Sequence, residues 1–138
     1  MRPRYSGSCL CGSIRFDVTG PFDGFYLCYC KHCQKDSGSA HAASLFIPPS
    51  NIFWHCGQEL LTTYRLPGSL HQKSFCQQCG SPVPSLDNQH SFLMVPAGCL
   101  DTPILQTPDA KIFVSRQVQW SKGIHHLVEF DELPKGKT

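Results

Sequence analysis

At 138 residues the chain has room for one compact domain with its own core, and not for two. A hydrophobic fraction of 41% excludes disorder and coiled coil, and a net charge of +2 with a pI near 8.1 excludes the basic stripe of a nucleic-acid binder. No apolar run is long enough to cross a bilayer, and residues 1–7 lead into no apolar leader segment, so the expected setting is a reducing cytoplasm without membrane attachment.

Residues 13–18 set Ile14, Phe16 and Val18 against Ser13, Arg15 and Asp17, the period-two alternation of a half-buried strand, and Gly20-Pro21 then turns the chain. Residues 24–29 read as a second strand running into a cysteine cluster. Residues 31–39 form the one helical stretch, with Gly38 near its end. Residues 41–47 are a buried strand stopped by Pro48-Pro49. Residues 52–55 and 60–66 flank Gly57-Gln58-Glu59, which predicts a hairpin. Further strands are expected at 71–75, 92–95, 112–114 and 127–130, and residues 135–138 read as a frayed tail. Many short strands between turns predict a mainly β fold, a small antiparallel sandwich or distorted barrel, as a single domain over 1–138.

Nine cysteines are the feature that composition does not explain, and in a reducing compartment such clusters read as metal sites or catalytic thiols. Seven of them fall into three groups: Cys9-x-Cys11-Gly12, Cys28-x-Cys30-x-x-Cys33 and Cys76-x-x-Cys79-Gly80. Each group places its thiolates on one tight turn, where they can share a tetrahedral zinc. A glycine after a knuckle lets the backbone turn sharply. Seven ligands divide as four plus three. Joining Cys9 and Cys11 to Cys76 and Cys79 uses both glycine-followed knuckles together, although spacing alone does not prove it. Three thiolates leave a coordination position open, the arrangement of zinc enzymes, unless a nearby fourth ligand closes it. An open three-thiolate zinc can accept an incoming thiol and hold it deprotonated at neutral pH.

The run Ser8-Cys9-Leu10-Cys11-Gly12-Ser13-Ile14-Arg15-Phe16 resembles the opening of the glutathione-dependent formaldehyde-activating enzyme (Gfa) family, which also includes centromere protein V. Cys28-Tyr29-Cys30-Lys31-His32-Cys33-Gln34-Lys35-Asp36-Ser37-Gly38-Ser39-Ala40 and Phe75-Cys76-Gln77-Gln78-Cys79-Gly80-Ser81-Pro82 are similar to its next two motifs. Gly98-Cys99-Leu100-Asp101 and Ile112-Phe113-Val114-Ser115-Arg116 followed by Trp120 look like its later ones, so the resemblance runs from about Ser6 to Pro134. It implies a β-rich fold with two zincs, a structural one on Cys9, Cys11, Cys76 and Cys79 and a catalytic one on Cys28, Cys30 and Cys33. The implied reaction joins formaldehyde to glutathione to give S-hydroxymethylglutathione, a carbon–sulfur lyase written in reverse. The implied partners are a small-molecule thiol and an aldehyde, with no nucleic acid and no membrane; a homodimer stays open. Against the family's common pattern, Tyr29 and Lys111 stand where histidines are usual, and Cys99 replaces a small polar residue.

Lys31, Lys35, Arg65 and Lys73 are the candidates for glutathione's two carboxylates, with Lys31 and Lys35 favoured because they flank the three-cysteine group. Cys56 and Cys99, outside the groups, are expected to be buried apolar residues. His32 reads as a non-ligating residue of a solvated turn, His41 as a satisfied, partly buried histidine at the start of a strand, and His71, His90, His125 and His126 as surface residues. Trp54 and Trp120 are expected in the core or at its rim. Two rival readings are a glutathione carrier without turnover and a purely structural zinc module in which a fourth protein ligand closes the second site.

Overall fold

A computed structural model describes residues 2–134, so the tail at 135–138 lies outside the described residues. Its strands in chain order are β1 (Arg4–Ser8), β2 (Arg15–Thr19), β3 (Gly24–Cys28), β4 (Ala42–Ile47), β5 (Ile52–Cys56), β6 (Leu61–Arg65), β7 (Gln72–Cys76), β8 (Pro82–Val83), β9 (Ser85–Leu86), β10 (Leu93–Pro96) and β11 (Ala110–Ile112). The one α-helix among the described residues, α1 (Lys31–Ser37), lies between β3 and β4. Three open sheets result, ordered β1-β2-β5, β11-β3-β4-β10-β9 and β6-β7-β8. The fold is mainly β as expected, and no sheet closes into a barrel.

Alternation drives the burial. Ile14, Phe16 and Val18 are fully buried, as are Leu45, Ile47, Val83 and Val95, and together with Tyr5, Phe25 and Leu93 they form one core between the sheets. Strand β11 runs parallel to β3, with Ile112 opposite Cys28, so the chain's later part returns to the cysteine loop.

Three expectations are corrected. Residues 52–55 and 60–66 do not pair with each other: β5 pairs with β2, and β6 pairs with β7. The reason lies at Gly57, whose left-handed backbone (φ 82°) packs on the residues just before β2, where an added Cβ would collide with the Ser13 carbonyl oxygen. The chain therefore turns a corner between two sheets there. Residues 127–130 form no strand, and Leu127 is 67% exposed, because no sheet edge or core receives them among the described residues. The last strand ends earlier than expected, since Phe113 adopts a left-handed conformation (φ 56°) that the pleat cannot continue.

Among single residues, Cys99 is buried as expected, whereas Cys56 at the end of β5 is exposed. Trp54 packs on the core with its ring 5.5 Å from Phe16, and Trp120 is 65% exposed.

Candidate metal centres on a shared cleft

The first and third cysteine groups meet in space although 65 positions separate Cys11 from Cys76. The ligand atoms of Cys9, Cys11, Cys76 and Cys79 all lie within 4.8 Å of one another. The Cys9–Cys11 and Cys11–Cys76 sulfur separations are 3.6 and 3.9 Å. Sulfurs around a tetrahedral zinc with bonds of about 2.3 Å stand about 3.8 Å apart, so the donor set fits that ion. Both knuckles turn through left-handed glycines, Gly12 at φ 78° and Gly80 at φ 76°, whose N–H groups donate to the carbonyls of Cys9 and Cys76. The Ile14 N–H donates to the Cys9 sulfur at 3.3 Å. The Ser81 hydroxyl and backbone N–H lower the Cys79 thiol to about 5, and burial raises that of Cys76.

The middle group is built differently. Cys28 ends β3, Cys30 caps α1 by accepting the Cys33 N–H at 3.4 Å, and Cys33 sits in the first turn of the helix. Their three sulfurs lie within 4.8 Å of one another, and no fourth His, Cys, Asp or Glu ligand atom joins them among the described residues. Burial raises the Cys28 thiol; burial and the two neighbouring thiols push Cys33 far up. At Cys30 burial is the largest single influence and raises the thiol, but the hydrogen bonds from the Cys33 and His32 N–H groups and from the neighbouring thiols together lower it. Three thiolates so close repel one another, and a divalent cation removes that repulsion, so this donor set also fits a soft metal such as zinc.

Cys28 and Cys33 line a cleft of about 1030 Å³ bounded by β4 and β10 on one side and the β6–β7 hairpin on another. Arg65 and Lys73 lie in its wall, whereas Lys31 and Lys35 are exposed on α1 and are not among the lining residues. His41 is not the satisfied histidine expected: it lines the cleft, and its buried Nδ1 has no hydrogen-bond partner among the described residues. The buried Tyr29 ring lies 5.0 Å from that of His41 and 5.7 Å from the Lys111 ammonium, so two positions that depart from the family's pattern touch each other.

His71 is not the surface residue expected. It is half-buried in the cleft wall, its Nε2 2.5 Å from the Asp36 carboxylate and its ring 5.2 Å from that of His32. The Lys73 ammonium donates to the Asp36 carbonyl at 2.6 Å. Nothing in local sequence pairs residues 36 and 71; only the docking of α1 against the hairpin does. His90, His125 and His126 are exposed.

The family model described as "Glutathione-dependent formaldehyde-activating enzyme" matches residues 4–116. A Halomonas elongata protein named "Putative glutathione-dependent formaldehyde-activating enzyme" is 31% identical over 113 residues, covering 75% of this chain and 69% of that protein. A crystal structure of a Rhodobacter sphaeroides protein superposes with a TM-score of 0.61 at 20% identity, over 77% of this chain and 98% of that one, a likeness of fold alone.

Proposed function

The chain belongs to the glutathione-dependent formaldehyde-activating enzyme family, and on that premise we propose that it joins the sulfur of glutathione, or of a similar small thiol, to an aldehyde carbon, or reverses that step. The product with glutathione and formaldehyde is S-hydroxymethylglutathione, and the reaction class is that of a carbon–sulfur lyase. The observation that carries this reading is a three-thiol group without a fourth protein ligand, set in the wall of a cleft large enough for a tripeptide.

In this reading Cys9, Cys11, Cys76 and Cys79 hold a structural zinc, and Cys28, Cys30 and Cys33 hold a catalytic one. When bound there, zinc supplies an open coordination position and the charge that keeps a thiol deprotonated near neutral pH. The chain's own residues do the rest. The cleft between β4, β10 and the hairpin sequesters the thiol. Arg65 and Lys73 in its wall, and Lys31 and Lys35 on the helix that carries Cys33, are the cations available to glutathione's two carboxylates. We place the activity in a reducing cytoplasm, where such thiolates persist; no helix among the described residues is long and apolar enough to cross a membrane.

Exchange NMR on equilibrated glutathione and formaldehyde tests the proposal. Zinc-loaded protein is expected to speed interconversion by roughly 10²-fold or more, and a folded Cys30→Ser variant to lose that acceleration. Glutathione binding without acceleration in the wild type would turn the reading into that of a carrier.

A further inference from the structure

Adding a thiol to an aldehyde moves a proton as well as forming a bond. The thiol must lose its hydrogen, and the carbonyl oxygen must gain one. The cysteine groups offer no proton carrier for this, since their sulfurs serve as ligands in the reading above. Two histidines line the cleft, and only one of them is oriented by a carboxylate. His71 Nε2 meets Asp36 Oδ2 at 2.5 Å, and the other ring nitrogen, Nδ1, makes no protein hydrogen bond among the described residues. Asp36 follows Cys33 by three positions on α1, so the two side chains leave the helix on one face, with Cβ atoms about 5–6 Å apart. The carboxylate that holds the imidazole therefore lies one helical turn from Cys33, and His71, Asp36, Cys28 and Cys33 all line the same cleft.

We propose that His71 is the general acid–base of the reaction and that Asp36 is the positioning residue that fixes its ring. The inference rests on the thiol–aldehyde reading given above. His71 Nδ1 accepts the thiol proton. The sulfur lone pair forms the new C–S bond while the carbonyl π pair moves to oxygen. That oxygen then takes the proton back from Nδ1. No electron or atom is left over, and the reverse path serves cleavage. Asp36 and His32 from α1 meet the imidazole, Lys73 from β7 binds the Asp36 carbonyl, and Arg65, His41, Asp87, Asp101, Cys28 and Cys33 are titratable or charged groups lining the same cleft. The Lys73 ammonium and the Asp36 carbonyl it binds tie the hairpin to the helix, which keeps the pair in register.

The test is the exchange rate, its pH profile and glutathione affinity in zinc-loaded wild type, His71→Gln, His71→Ala and Asp36→Asn. Glutamine can still donate to Asp36 but cannot carry the proton. His71→Gln is expected to bind glutathione within a few-fold of wild type, to lose roughly 10²-fold in rate, and to lose one limb of the pH–rate profile. Added imidazole is expected to restore part of the rate in His71→Ala, which a merely structural role would not allow. Asp36→Asn is expected to lower the rate at saturating thiol more than it weakens binding. The ring resonances of His71 in wild type are expected to move when glutathione is added. Retention of rate and of both limbs in His71→Gln would overturn the proposal, as would a pure loss of affinity with an unchanged saturated rate. A wild type that binds glutathione but gives no acceleration would overturn the reaction reading itself, and is recognised because the failure then precedes any substitution.

Discussion

The two cysteine groups are made of the same residue type yet are placed by opposite means. Cys9 and Cys11 come from the turn between β1 and β2, and Cys76 and Cys79 from the end of β7, so the four-cysteine group ties together two sheets distant in sequence. Cys9 and Cys76 belong to the hydrophobic core itself. Cys28, Cys30 and Cys33 come from one short stretch of chain, the end of β3 and the start of α1. One group joins segments far apart in sequence and offers four donors; the other is local in sequence and offers three beside a cleft. Ligand count and placement, more than residue type, separate a group suited to stability from one suited to chemistry.

The largest expected effect breaks the first half of that comparison. Structural zinc sites contribute on the order of 10 kcal/mol, comparable with the about 5–15 kcal/mol that a domain has in total. Cys76→Ser removes a fully buried thiol of the proposed structural zinc site, and the β-sheet circular dichroism is expected to lose its cooperative thermal transition. Chelation of wild type should give the same outcome. Cys30→Ser, by contrast, should keep a cooperative transition.

The reasons some of this was legible in the sequence lie in particular residues. The cysteine spacings marked each knuckle, with a glycine after Cys11 and after Cys79, because knuckle geometry is local; the meeting of the first and third knuckles across 65 positions was not marked by spacing. The alternation around Ile14, Phe16 and Val18 marked β2, and the helix after Cys30 was marked by Gly38, which caps it. Strand β1 was not legible: its Arg-Tyr-Ser-Gly-Ser run buries Gly7 only because the Phe16 ring fills the space where a Cβ would stand. Likewise the corner at Gly57 depends on Ser13, and the His71–Asp36 pair on the docking of a hairpin against a helix. Each is a contact between residues far apart in sequence, which no local pattern encodes.

A smaller effect concerns Cys99, which lies in the core and lines the cleft without joining either group. Burial, with a lesser contribution from Asp101, pushes its thiol up to about 12. The folded state thus keeps a proton that the unfolded chain loses near 9. Its contribution is fully present below about 9 and disappears as pH rises towards 12, by at most about 1.4 kcal/mol per pH unit. Denaturant midpoints measured from pH 8 to 11 are expected to fall more steeply in wild type than in Cys99→Ala. The smallest effect is at Cys56, exposed and outside both groups: Cys56→Ser is expected to change stability by less than about 0.5 kcal/mol in urea unfolding. A change in bound zinc there would mean that the division of ligands is wrong.

Native mass spectrometry of the zinc-loaded protein, with and without glutathione, tests the difference between the two groups most directly. Two zinc ions and one glutathione adduct are expected in wild type, and one zinc with no adduct in a folded Cys30→Ser variant. Two zinc ions in that variant, or an adduct that survives the substitution, would contradict that difference.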